Sequence, residues 1–222
     1  MRKRTHYIED YTRKDGEHIE LELEFEPYGD VTVVEKDDKV IVGYLVLDPN
    51  CTNPLEDCDG IGAIHHHPKS WYGRHESKYY DILGLDSYGD PIEDACPNPD
   101  AVLLDLYDHG PCQLSVSGRG MNCRWDTSRG EAVWVPDKYL QEELAKIEDP
   151  DARYAQAVIY AEQAVELYNA WSSGDCYGVV VQTHDKEGAM EDEDAVWGYL
   201  GGKHAEEELA SCMEYRAGEV AA

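Results

Sequence analysis

Ile19, Leu21, Leu23 and Phe25 alternate with Glu20, Glu22, Glu24 and Glu26. A strict period of two puts successive side chains on opposite faces of an extended chain, so this stretch predicts a strand with one apolar and one wholly acidic face. Such a strand must lay its apolar face on a core and leave its glutamates in water, which excludes a helical reading of the N-terminal region. Residues 31–35 and 39–47 follow, joined by the turn Lys36-Asp37-Asp38. The run Val40-Ile41-Val42 with Tyr44-Leu45-Val46-Leu47 lacks alternation and predicts a strand buried on both faces. These segments together predict an antiparallel meander over residues 1–47.

Residues 48–100 change character to Asp, Asn, Gly, Pro, Cys and His, with few apolar runs beyond residues 61–64 and a short helix expected near residues 76–85. An irregular insert of this length inside a domain draws attention as a functional segment. Strands are expected again at residues 101–107, 113–117 and 131–135, the last closed by Pro136, which suits a first helical turn. Helical spacing covers residues 136–147 and 151–173, separated at Asp149-Pro150. The second helix carries Tyr154, Val158, Ala161, Val165 and Tyr168 on one stripe and ends at Gly174. Residues 177–183 and 195–200 predict a hairpin around an acidic loop at 185–194, and residues 203–216 a last helix. The order argues a single α+β domain, an antiparallel sheet with two to three C-terminal helices and a long irregular insert, the mixed β/α part spanning residues 101–222.

The chain has 222 residues, with 47 Asp and Glu against 19 Lys and Arg, a formal net charge of −28. The excess is even: residues 1–111 hold 25 acidic and 10 basic side chains, and 112–222 hold 22 and 9. This is an acidic coat rather than an acidic tail. A surface of that sign repels nucleic acid and anionic membrane and attracts cationic surfaces at rates that fall with salt. No stretch approaches the ~18 apolar residues of a membrane span, and the basic start Arg2-Lys3-Arg4 leads into Glu9 and Asp10 rather than an apolar signal core, so a cytoplasmic location is expected. Seven cysteines, an odd number without any Cys-x-x-Cys pair, read as reduced thiols.

Four boxes stand out: Asp105-Leu106-Tyr107-Asp108-His109, Cys123-Arg124-Trp125-Asp126-Thr127-Ser128, Ser173-Gly174-Asp175-Cys176-Tyr177-Gly178 and Trp197-Gly198-Tyr199. In that order they resemble a widespread group of bacteriophage and mobile-element proteins carrying Tyr-Asp-His, Trp-Asp-Ser, Gly-Asp-x-Tyr-Gly and Trp-Gly-Phe/Tyr boxes. Asp48-Pro49, Asn53-Pro54, Asp59-Gly60-Ile61-Gly62 and His65–His67 extend the resemblance upstream, where that group has an Asp-Asn-Leu-Gly segment and an aromatic, arginine-rich run that histidines largely replace here. The resemblance implies a viral accessory role and one shared fold, and it implies no reaction.

Three constellations invite chemistry. His65, His66, His67 and His75 near Cys51 and Cys58 could supply ligands to Zn²⁺, with His65, His67 and Cys58 the best set, although consecutive histidines on a strand point to opposite faces. His109 with Asp108 or Asp126 could form an acid–base pair in a small hydrolytic enzyme, but no nucleophile is marked. Trp71, Tyr72, Arg74, Tyr79 and Tyr80 form an aromatic and basic island suited to contact. The preferred expectation is an acidic decoy without a cofactor that binds a basic host defence or nucleic-acid-processing protein, carboxylates standing in for phosphates. Glu20, Glu22, Glu24 and Glu26, the run Glu191, Asp192, Glu193 and Asp194, and Glu206, Glu207 and Glu208 are the expected acidic contacts. A blander account makes the acidity an adaptation to high salt.

Overall fold

The computed structural model describes residues 7–70, 78–110 and 112–220. In chain order the elements are β1 (Tyr7–Thr12), β2 (His18–Leu23), β3 (Thr32–Lys36), β4 (Lys39–Leu47), α1 (Pro54–Asp57), β5 (Ala63–His66), α2 (Tyr79–Leu83) and β6 (Val102–Asp108). There follow β7 (Cys112–Val116), β8 (Thr127–Val135), α3 (Lys138–Leu144), α4 (Pro150–Ser173), β9 (Cys176–Asp185), β10 (Met190–Leu200) and α5 (Gly202–Val220). Helices and antiparallel sheets mix in one chain, which is the α+β class. The chain divides into two compact units: the second is Thr52–Ser173, inserted between the two segments that build the first. No helix among the described residues is long and apolar enough to cross a membrane.

The first unit is layered. Its central sheet has the order β10-β9-β4-β3, all antiparallel. β2 alternates as the sequence requires, with Ile19, Leu21 and Leu23 buried and His18, Glu20 and Glu22 exposed. It pairs with β1, and the two-stranded ribbon lays Ile19, Leu21 and Leu23 on Val40, Val42, Tyr44, Val46 and Val180. On the opposite face Ile41, Leu45, Val179 and Val181 meet Ala205, Leu209 and Met213 of α5. β4 therefore lacks alternation because both of its faces are covered. Where α5 crosses it, a Cβ on Gly43 would lie 2.4 Å from Met213 Sδ, so only glycine admits the helix that closely.

The expected meander is not formed. β2 stops at Leu23 and pairs backward with β1, while β4 takes β9, far along the chain, as its second neighbour. The expected acidic loop at 185–194 is also shorter. β10 begins at Met190, so Glu191, Asp192, Glu193 and Asp194 are strand residues, and the turn is confined to the four residues between Asp185 and Met190.

The second unit has one sheet, order β5-β8-β6-β7, with α3 and α4 against one face. Residues expected to be irregular supply its edge strand: Ala63–His66 pairs with residues 132–135 of β8. α4 buries Ala157, Val158, Ala161, Ala164 and Val165, whereas Tyr154 is 47% exposed and leaves the expected stripe. Small side chains at 157, 161 and 164 let the helix lie close to the sheet, and that proximity sets the buried face. Pro136 lies before the helix, not in its first turn: Asp137 is the N-cap of α3, accepting from the Leu140 amide at 3.0 Å. Asp100, almost fully buried, grips Arg153 of α4 with two bonds of 2.6 and 2.5 Å. Asn169 of α4 serves the β7 edge, its side-chain oxygen accepting from the Leu114 amide (2.9 Å) and its nitrogen donating to the Leu114 carbonyl (2.8 Å).

Candidate functional site: an acidic ribbon face

The solvent face of the β1–β2 ribbon carries Ile8, Asp10 and Thr12 opposite Glu22, Glu20 and His18. Asp10 and Glu20 are directly paired across the ribbon, and both are exposed. Like charges at opposed positions repel, at a cost of a few tenths of a kcal/mol or more. Neither carboxylate receives a lysine or arginine among the described residues. Glu20 and Glu22 project at the ~6.5–7 Å interval of alternate strand residues. The expected four-glutamate ladder is thus a two-glutamate ladder with Asp10 as the third carboxylate. Glu24 and Glu26 follow the end of β2, and Glu26 accepts from the Tyr7 hydroxyl at 3.3 Å. Asp10 could have been found from the alternation of Tyr7, Glu9 and Tyr11 with Ile8, Asp10 and Thr12, a weaker pattern than that of β2.

Most of the other acidic residues singled out in the sequence make bonds within the fold. Glu191 takes Lys39 Nζ at 2.5 Å, and Glu193 accepts from Gln182 Nε2 at 2.7 Å. Asp192 and Asp194 share the buried guanidinium of Arg216, which reaches from α5. That guanidinium holds the Asp192 carboxyl below the usual range. These bonds fasten β10, while Glu191, Asp192 and Asp194 stay exposed on its solvent side. On α5, Glu207 lies 3.6 Å from Lys203 and Glu208 accepts weakly from the Cys212 thiol at 3.8 Å, leaving Glu206 exposed. Three consecutive helical residues fan through about 200° of arc, so they form no common face.

The histidine run does not converge. His66 reaches the Tyr168 hydroxyl (3.2 Å), and His67 uses Nε2 toward Tyr80 (3.1 Å) and Nδ1 to accept the Lys69 amide (3.1 Å). Burial pushes the pKa of both His65 and His66 down. Cys58 is exposed at the end of α1. Among the described residues no group of three His, Cys, Asp or Glu side chains could hold a metal ion. Tyr79 is buried and donates to the Gly130 carbonyl at 2.6 Å, so with Tyr80 it packs inward. Trp71, Tyr72 and Arg74, the rest of the aromatic island, and His75 lie outside the described residues.

The box residues meet in two clusters, one per unit. In the second unit the Asp108 amide donates to the Asp126 carbonyl (2.8 Å), Cys123 Sγ donates to Asp126 Oδ2 (2.9 Å), and His109 Nδ1 stands 3.8 Å from the same carboxylate. Asp108 accepts from the Cys112 thiol at 3.2 Å. The fold therefore does bring His109 to Asp126, as the acid–base expectation requires. The imidazole is nonetheless 73% exposed and beyond hydrogen-bond reach, so the pair has no shielded volume in which to act. At the start of the same box the buried Asp105 accepts from the Gly118 and Gly130 amides (2.8 and 3.0 Å) and from Arg129. Burial alone would raise the Asp105 carboxyl, but the two amides, Ser117 and Arg129 outweigh it and hold it low.

In the first unit, Asp175 accepts from the Gly202 amide at the start of α5 (3.1 Å), and the Gly178 backbone lies under the Trp197 ring, where a Cβ would be 2.4 Å from the ring. The glycines and aspartates of the boxes are thus explained by turns, caps and close packing. An open cleft of about 540 Å³ lies among Asp59, Gly60, Asp137, Lys138, Tyr139 and Glu142. Asp137 already accepts there from the Gly60 and Gly62 amides.

No family model, no curated protein and no solved structure matches the chain.

Proposed function

We propose that the chain is an accessory protein of a bacteriophage or mobile element that acts as an acidic decoy, occupying the cationic nucleic-acid groove of a basic host protein in the cytoplasm. One observation carries this reading. If every lysine and arginine neutralised one carboxylate, 47 minus 19, or 28, would still lack a cationic partner within the chain. Internal pairing cannot absorb that excess, so its complement lies outside. The ribbon face of Asp10, Glu20 and Glu22 is the docking surface, because two of its carboxylates oppose each other directly and a partner's lysine or arginine relieves that repulsion.

The test is competition. A panel of basic nucleic-acid-binding proteins, each loaded with fluorescent DNA, is titrated with the chain at low and high salt. Displacement of DNA that weakens with salt, and that falls at least tenfold in Asp10→Asn/Glu20→Gln, supports the decoy. Failure to compete with any member, or equal competition by the double variant, removes it. Pronounced unfolding at low salt would instead make the charge an adaptation to brine. A second reading, a small hydrolytic enzyme, rests on the approach of His109 to Asp126. A folded His109→Ala variant that loses the biological effect while still displacing DNA would favour it.

A further inference from the structure

The chain leaves the first unit after Cys51 and re-enters it at Gly174, so a cysteine stands at the exit and another, Cys176, just inside the return. Local geometry draws them together. Leu47 pairs with Tyr177 at the end of the β4–β9 ladder, and the Asp48 amide donates to the Cys176 carbonyl at 2.9 Å. Asp48 then accepts from the Asn50 amide (3.0 Å), a side-chain turn that ends one residue before Cys51. The Cys51 and Cys176 side chains hydrogen-bond to one another. Cys176 is 2% exposed and Cys51 half-buried, so a reagent reaches the pair from the Cys51 side.

We propose that Cys51 and Cys176 are a covalent modification site, closing to a reversible intramolecular disulfide in response to a small-molecule disulfide such as oxidised glutathione. The Cys51 thiolate attacks one sulfur of that oxidant and expels a thiolate, leaving a mixed disulfide on Cys51. Cys176 then gives up its proton and attacks Cys51 Sγ, forming the protein S–S bond and breaking the mixed one. Two electrons pass to the oxidant, the two protons end on the two released thiols, and no other co-reactant enters. Burial, then Cys51, Asp48 and Asp175, push the Cys176 thiol up to about 12, so the closing step is slow at neutral pH and quickens with alkali. The resulting covalent ring runs from Cys51 to Cys176 and contains the whole second unit. A crosslink that closes so long a loop restrains the unfolded chain strongly, and the native contact of the two side chains asks for little rearrangement.

The reduced full-length chain is incubated natively with oxidised glutathione at about pH 7 and about pH 9, quenched with an alkylating agent and mapped by mass spectrometry. The expected result is a peptide pair joined through Cys51 and Cys176, formed faster at the higher pH, reversed by a dithiol reductant and absent from Cys51→Ser. The oxidised protein melts roughly 10 °C above the reduced one. Adducts confined to the exposed Cys58 and Cys96, with Cys51 and Cys176 recovered as alkylated thiols, overturn the proposal. So does a Cys51–Cys176 link that forms only in denaturant. The linked peptide is read in the unsubstituted chain, so the result does not depend on whether a Cys176 variant folds.

Discussion

Asp105 gives the sharpest test of how the second unit is held, because one carboxylate, 1% exposed, organises the long connection from β7 to β8. Its Oδ2 accepts from the Gly118 amide and Arg129, and its Oδ1 from the Gly130 amide. Asp105→Asn keeps the shape and removes one acceptor. If the amide oxygen stays at the Oδ2 position, the new NH₂ faces the Gly130 N–H and leaves that buried donor unsatisfied, at a cost of ~1–3 kcal/mol. The bond to Arg129 also loses its charge on one side, about 1 kcal/mol more, discounted because the guanidinium is 47% exposed. The sum is about 3 kcal/mol, or roughly 10 °C in the melting of a unit of this size. Urea unfolding followed by near-ultraviolet circular dichroism measures it, since Trp134 lies in the same core. The folded-state carboxyl is depressed, so its contribution is present above the unfolded pKa of ~3.9 and lost as pH falls through the folded value. The gap between wild type and Asp105→Asn should be full at pH 6 and should narrow below pH 4. A variant within about 0.5 kcal/mol of wild type at pH 6 refutes this account of the connection.

Three further outcomes are expected. Burial pushes the His184 imidazole below its usual range, outweighing the opposing effects of its Nδ1 hydrogen bond to the Gly188 carbonyl (3.0 Å), Asp185 and Glu22. Its contribution is therefore present above pH ~6.5 and lost as pH falls through the folded value, at a rate of up to about 1.4 kcal/mol per pH unit. Urea midpoints that stay level between pH 7 and pH 5.5 would contradict this. Asn169→Ala strips both side-chain bonds from Leu114 and should cost ~2 kcal/mol, with faster amide exchange at Leu114 as the specific signature. Asp10→Asn removes a cross-strand repulsion and should stabilise the ribbon by a few tenths of a kcal/mol in low salt, an effect that fades at 1 M salt; a loss of stability would mean that Asp10 is satisfied where it stands.

What was legible in the sequence was local. The alternation of β2, the double-sided apolar run of β4, the long helix ending at Gly174 and the last helix all follow from the periodicity of one segment. Pairings at long range were not. Nothing in residues 39–47 announces that β9 is their neighbour, and nothing near Glu191 announces Lys39 or Arg216. The acidic stretch beginning β10 looked like a solvated loop because its counter-charges come from β4 and α5. The acidic coat was legible as a total, but its division into fastened and facing carboxylates was not, since that depends on which cation each one meets.

That division bears on function. Among the described residues, four ion-pairing side chains sit at seams: Arg216 ties α5 to β10, Arg153 ties α4 to the stretch before β6, Arg129 anchors the β7–β8 connection, and Lys39 joins β4 to β10. At each seam the ion pair helps hold two elements together. The ribbon face is no seam; its apolar side already binds it to the sheet. Its opposed carboxylates therefore add nothing to the fold and subtract a little from it. A chain selected for stability alone would replace Asp10 or Glu20 with a neutral or basic residue at a gain, whereas a chain selected to meet cations keeps both and recovers the cost when a partner's lysine or arginine arrives.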